Sequence, residues 1–392
     1  MFSRRTAWKL TLNDFTEAQK EMAAAGREVL DLTISNPTRA GLRYDEEFIL
    51  KSLANPKALD YEPQPKGLHS ARQAVATYYR DHHALDVDPE SLALTSSTSE
   101  GYSYVFRLLC NPDDEVLVPK PSYPLFEFLA DLQDVKLIPY PLIYDHGWQL
   151  DFPSIHKAVT DQTRAVVIVH PNNPTGSYVS EAERSELNEL CRDRNLSLIV
   201  DEVFLDYAHD GVPRWTFAAN HEALTFTLSG LSKISGLPQM KMAWIATSGS
   251  KDKNKDQVKT ALARLEVIAD TYLSVSAPIQ LATPVLLDQS KLIQPQLLNR
   301  VRTNLKELDR QLANQKNCRR LDVEGGWYAV LRVPVTRSDE DLAIDILRKL
   351  SVLVHPGHFY DFPNDGYLVV SLIAPTEGFG QGIGRILELL SS

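Results

Sequence analysis

The chain has 392 residues, 43% of them hydrophobic and 23% charged, enough for large buried cores and, at about 150 residues apiece, two to three domains. Forty-one Lys and Arg against 51 Asp and Glu leave a formal charge of −10, which argues against a nucleic-acid partner, because such a partner demands a basic face to neutralise phosphates. Cys110, Cys191 and Cys318 are too scattered for a disulfide framework or a metal-ligand pair, and no apolar run approaches the roughly 20 residues that span a bilayer, so a cytoplasmic protein without a membrane partner is expected.

Residues 1–12 carry Arg4, Arg5 and Lys9 but lack the apolar block of a signal peptide. The segment up to Tyr44 follows no clear pattern. Four short, nearly continuous apolar runs come next: Glu115–Val118, Ala165–Val169, Ser197–Val200 and Met242–Ala246. Strands buried on both faces read this way, which implies a largely parallel sheet covered by helices. Helical spacing over Glu181–Arg194 and Gln257–Ala269 supplies the alternation of an α/β fold. The polar stretch Ser248–Asp256 reads as a solvated loop. Beyond residue 285 a long helix is expected over Gln296–Gln315, then short strands at Trp327–Leu331, Val352–Val354 and Leu368–Leu372, and a last helix from Gly384 to Leu390. The expected architecture is a large α/β domain over residues 45–285, its sheet mostly parallel between helices, plus a smaller α+β domain of residues 286–392 with residues 1–44 grouped beside it.

Two of the apolar runs end in chemistry, and a third signal lies between the last two runs. The first runs into His170-Pro171-Asn172-Asn173-Pro174-Thr175-Gly176; strand ends of open parallel sheets face the ligand crevice, although Asn, Pro and Gly are also good turn residues for backbone reasons alone. The second ends in Asp201-Glu202. Carboxylates there are costly unless paired; Asp201 either caps the following segment or holds a proton on a buried ring nitrogen. The third signal is Lys233, set among small and apolar residues in Ser229-Gly230-Leu231-Ser232-Lys233-Ile234-Ser235-Gly236. A desolvated amine of this kind is what Schiff-base chemistry requires.

Asn173-Pro174-Thr175-Gly176, Asp201 28 residues after Asn173, and Ser232-Lys233 with the lysine 32 residues after Asp201 together resemble the class I/II, fold type I aminotransferases that use pyridoxal 5'-phosphate. The resemblance covers nearly the whole chain. It implies an aminotransferase that moves an amino group between an amino donor and a 2-oxo acid through a Lys233 Schiff base. Asp201 would keep the cofactor's pyridine nitrogen protonated, Asn173 would donate to its ring oxygen, and Tyr123 would stack on the ring. Ser97, Thr98 and Ser99, with Ser232 and Lys241, would hold the phosphate; a helix start suits a dianion. Tyr61, in Tyr61-Glu62-Pro63 through Gly67 and Arg72, matches the family tyrosine that reaches into the partner's site, so a homodimer is implied.

Three positions depart from the family pattern. Its phosphate arginine falls on Lys241, which keeps the charge and loses the bidentate fork. Its tyrosine after the aspartate falls on Phe204, with Tyr207 the nearest alternative hydroxyl. Its substrate-carboxylate arginine falls on Val369, which cannot clamp a carboxylate. Arg39, in the loop starting at Ser35, and His358, after Pro356-Gly357, are the candidates to bind substrate instead. The gap at Val369 also leaves room for a second reading, a lyase or specialised biosynthetic enzyme of the same fold. Asp81-His82-His83 with Asp86 and Asp88 is expected to be a solvated surface, and Gly378–Gly384 a loop.

Overall fold

The computed structural model describes residues 2–11, 13–250, 255–313 and 315–391; the expected loop at Ser248–Asp256 lies partly outside them. Among the described residues fourteen strands form: β1 (Leu30–Asp31), β2 (Leu92–Thr95), β3 (Glu115–Lys120), β4 (Lys136–Tyr144), β5 (Trp148–Leu150), β6 (Thr163–Val169), β7 (Ser197–Asp201), β8 (Thr225–Gly230), β9 (Ala243–Ser248), β10 (Arg319–Arg320), β11 (Tyr328–Arg332), β12 (Val352–Leu353), β13 (His355–Pro356) and β14 (Tyr367–Ser371). Eight of them build one sheet in the order β2-β9-β8-β7-β6-β3-β4-β5. Its centre, β4-β3-β6-β7-β8, is parallel; β9 and β5 run against it at the two flanks, and β2, antiparallel to β9, runs with the centre again. The fold is α/β with a mostly parallel sheet, as read from the sequence.

The apolar runs work as double-sided strands. Every residue of β7, β8 and β9 is buried. Ile199 points to one face, into a cluster with Val167, Phe226 and the helix Thr98–Leu109; its neighbours Leu198 and Val200 point to the other, against Leu187 and Leu190 of the helix Glu181–Arg194. The period of two along a strand enforces this division. The antiparallel turn of β9 follows from its connection: between Gly230 and Ala243 lies a single helical turn, Leu231–Ile234, and a 3-10 turn, too little for a parallel crossover.

The second sheet is antiparallel, ordered β10-β11-β14-β13. The N-terminal segment shares its core. β1 pairs in parallel with β12, and Phe15, Ala18 and Met22 of the helix Asp14–Ala24 pack in the cluster that holds Val330, Val369 and Leu347.

Two stretches differ from expectation. The last helix spans Thr376–Ser391 and includes the glycines that read as a loop. A Cβ on Gly382 would come within 2.9 Å of Leu32, so tight packing on the N-terminal segment overrides the low helix propensity of glycine. The long helix runs Ser290–Leu312, six residues earlier at its start than expected, with Pro295 as its sixth residue, where the missing N–H forgoes the bond back to the Lys291 carbonyl.

Candidate active site

The site sits where β6, β7 and β8 end. Asp201 closes β7, paired to Val169 and Leu228, with 7% of its surface exposed. It accepts hydrogen bonds from the Val203 N–H at 3.1 Å and from the Tyr102 hydroxyl at 3.2 Å. Burial pushes its pKa up to about 6, against the pull of those bonds and of the Lys233 charge. Lys233, on the helical turn after β8, is partly buried, and its Nζ lies 4.9 Å from the Trp327 ring centre and 5.5 Å from that of Phe204. Desolvation brings its pKa down to about 8, with Asp201 opposing. One buried acid and one buried amine thus titrate toward each other, a pattern typical of catalytic sites.

The Asn173 turn is built by its own backbone. Gly176 N–H donates to the Asn172 carbonyl at 2.8 Å, and Gly176 has φ +72°; a Cβ there would meet the Gly325 carbonyl oxygen at 2.4 Å. Only glycine fits. Asn172 Nδ2 donates to the Pro121 carbonyl at 3.2 Å, and Ser122 N–H donates to the Tyr360 carbonyl at 2.9 Å, so the Tyr123 loop is tied to both the Asn173 turn and the segment after β13. Asn173 Oδ1 is buried without a protein partner. Tyr123 is partly buried, and burial together with the Asp201 charge raises its pKa.

The residues expected to hold a phosphate stand at a helix start. Ser97 caps the helix Thr98–Leu109 by accepting from the Glu100 N–H at 3.2 Å, which uses a lone pair and leaves its O–H to donate. The hydroxyls of Thr98 and Ser99 have no partner among the described residues. β9 pairs Ala243 with Thr95 on one side and with Gly230 on the other, and the Leu231 N–H donates to the Met242 carbonyl at 3.0 Å, so the chain leading to Ser97, the turn carrying Ser232 and the segment carrying Lys241 all leave the same end of these three strands. Lys241 is exposed and has no ion-pair partner among the described residues. A helix start, free hydroxyls and an uncommitted lysine fit a phosphate.

Of the sites proposed for substrate, Ser35 lies close enough to Tyr328 to offset part of the pKa rise that burial gives that phenol, and the Tyr328 ring centre lies 6.2 Å from that of Phe204. Arg39 ends an exposed 3-10 turn, and His358 is exposed with Asp339 as its charged neighbour. Neither bonds to another residue of the site. Tyr61 is 83% exposed. Val369 is fully buried between Val330 and His355, and the same face carries Tyr328 and a 3.1 Å contact between His355 Nδ1 and the Tyr360 hydroxyl.

Supporting side chains around the lysine lie outside the motifs. Trp327 covers the lysine. Tyr207 does not turn its hydroxyl toward the ring position that Phe204 leaves without a donor; it donates to the Lys233 carbonyl at 2.7 Å. Gln294 donates to the Ile234 carbonyl at 3.1 Å and to Asp206 at 2.9 Å. His83, expected on a solvated surface, is buried with its Nε2 3.1 Å from Asp206, which also accepts from Tyr78. Burial alone would raise the Asp206 pKa, yet the His83 bond and charge hold it below the usual carboxylate value. Tyr207→Phe is expected to destabilise the protein by about 0.5–1.5 kcal/mol in chemical denaturation, because the Lys233 carbonyl loses the shorter of its two donors and keeps the Gly236 N–H at 3.3 Å.

Glu202, beside Asp201, is 1% exposed and accepts from Thr216 Oγ1 and the Phe217 N–H, both at 2.6 Å. Burial raises its pKa to about 8. The folded chain therefore holds a proton there between about 4.5 and 8 that the unfolded chain releases, so this group lowers stability as pH rises through that window. Glu202→Gln is expected to remove that loss, leaving the variant more stable than the parent at pH 8 and similar at pH 4.5 in denaturant titrations.

The family model for aminotransferase class I and II matches residues 27–375. The glutamate-pyruvate aminotransferase AlaA of Haemophilus influenzae is 28% identical over 377 residues, covering 93% of this chain and 91% of the relative; its Escherichia coli counterpart is 29% identical over 90% and 88%. A crystal structure of an Escherichia coli aminotransferase superposes with a TM-score of 0.85 at 25% identity over 100% of this chain and 98% of that one. The alanine aminotransferase of Pyrococcus furiosus has the same fold, with a TM-score of 0.86 at 22% identity and full coverage of both. These likenesses favour transamination over the lyase or biosynthetic alternative. The chain belongs to the class I and II aminotransferases, enzymes of fold type I that use pyridoxal phosphate.

Proposed function

We propose that this aminotransferase exchanges the amino group of an L-amino acid with a 2-oxo acid, with alanine and pyruvate as the first pair to test and Lys233 as the residue that holds the cofactor and moves the substrate proton. The observation that carries the assignment is the Lys233–Asp201 pair at the ends of β8 and β7, an amine lowered to about 8 by burial and an acid raised to about 6, each felt by the other's charge. Bound pyridoxal phosphate supplies an electron sink for the carbanion formed at the substrate Cα. The chain's own groups do the rest. Asp201 fixes a proton at the far end of the ring, Asn173 offers its unpaired amide, and Tyr123 stacks. Ser97, Thr98, Ser99, Ser232 and Lys241 hold the phosphate, with lysine giving charge without the bidentate fork.

Neutral donors take the substrate carboxylate in this reading, since Val369 leaves no guanidinium. The hydroxyls of Ser35, Tyr328 and Tyr360 are the nearest, with Arg39 and His358 reaching the site only when substrate closes it. The exposure of Tyr61 supports a homodimer in which this ring completes the partner's site. The scattered, unbridged cysteines support a reducing cytoplasm.

The test is a panel of single amino acids added to the yellow holoprotein. Loss of the lysine-linked absorption with release of one equivalent of the matching 2-oxo acid supports transamination. Ammonia or a decarboxylated amine in place of the oxo acid overturns it.

A further inference from the structure

A second cavity, of about 330 Å³, lies between the two sheets, outside the residues assigned to catalysis. That is near the lower end of the ~300–1,000 Å³ typical of small-molecule sites. Pro121, Tyr144 and Trp148 line it from the large sheet and its loops, and Arg319, Arg332, Phe362 and Tyr367 from the small one.

Its side chains offer donors and aromatic faces, and no carboxylate lines it. Arg319 and Arg332 are register partners across β10 and β11, an arrangement in which like charges repel. Arg320 takes Asp309 at 2.8 Å, whereas Arg319 and Arg332 have no acidic partner among the described residues. Trp148 Nε1, which can only donate, is buried without a partner. The two phenols already accept bonds, Tyr144 from the Asp322 N–H at 3.1 Å and Tyr367 from Arg332, and keep their protons to give. Around these donors the rings form a wall: Tyr144 to Trp148 at 5.2 Å, Trp148 to Phe362 at 6.1 Å, and Phe362 stacked on Tyr367 at 4.4 Å. The Arg332 guanidinium lies 5.0 Å over the Tyr367 ring, extending the wall with a flat cation.

We propose that this cavity is a binding site for a planar aromatic carboxylate, whose ring packs on Trp148 and Phe362 while its anion relieves the Arg319–Arg332 repulsion. The site is separate from Lys233, so its occupancy does not depend on the catalytic assignment.

The experiment is calorimetric titration of the holoenzyme with 1-naphthoate, alongside 1-naphthalenemethanol as the neutral shape control. Saturable one-to-one binding is expected, at least tenfold weaker for the alcohol, at least tenfold weaker in R319Q and R332Q, and unchanged in K233A. Absence of saturable naphthoate binding overturns the proposal, as does equal binding of the alcohol. Binding lost in K233A overturns it too, since the probe would then occupy the catalytic site. If an arginine variant loses the near-ultraviolet dichroism of the parent, the comparison of acid with alcohol on the parent enzyme decides.

Discussion

Lys233→Ala is expected to lower the transamination rate by about four orders of magnitude, the upper end of what a positioned proton-transfer group contributes. Borohydride treatment should then fix no cofactor to the variant, where the parent gains one covalent equivalent on the peptide containing Lys233. The structure gives the reason for so large an effect. The lysine backbone is pinned by the Tyr207 bond to its carbonyl and the Gln294 bond to the next one, which fixes where its side chain leaves the chain. The Trp327 and Phe204 faces favour the ammonium form, while desolvation disfavours it; desolvation wins, and the pKa falls to about 8. The apoprotein therefore carries a penalty for a protonated lysine that is full below about pH 8 and gone above 10.5. Relative to its parent, apo K233A should be more stable at pH 7 and lose that advantage at pH 10.5, as read from denaturation midpoints. A variant as active as the parent would remove Lys233 from the mechanism.

The strand ends were legible because each chemical residue follows a run of residues buried on both faces. Asp201 and Lys233 stand out in sequence as polar groups where the apolar pattern stops. Their supports carry no such mark. His83 lies in a polar string, and its burial depends on Asp206, 123 residues away and itself turned inward by Tyr78 and Gln294. Trp327 looks like one more core aromatic until the small sheet brings it over the lysine. β4 escaped the reading since Pro139 and Pro141 interrupt it, and proline argues against a strand except near an edge. β4 is the second strand from one edge, bordered only by the three-residue β5. In each of these cases a long-range contact decides what local pattern leaves open.

Asp201→Ala is expected to lower the transamination rate by about 10²–10⁴-fold, comparable to the loss of a general acid–base partner, and to change how cofactor affinity depends on pH. Asp201 sits at the end of a buried strand with two donors, the Val203 N–H and the Tyr102 hydroxyl. Even with both, burial keeps its pKa at about 6 in the empty site. A protonated pyridine nitrogen beside it would favour the carboxylate, as an opposite charge does at close range. Cofactor binding below about pH 6 must therefore expel a proton from Asp201, and affinity should fall as pH drops through that value. At pH 7 and above the carboxylate is already ionised, so the parent binds without that cost. The alanine variant has no carboxyl to deprotonate and should lose the extra fall below about pH 6, keeping only the dependence that the Lys233 amine imposes, at a weaker overall affinity. Fluorescence titration of the apoprotein with pyridoxal phosphate between pH 5 and 8 separates the two. An unchanged pH slope in the variant would show that another group holds the ring proton, and the nearest buried acid to test next is Glu202, which sits one residue on along the chain with its own carboxylate turned toward Thr216 and Phe217.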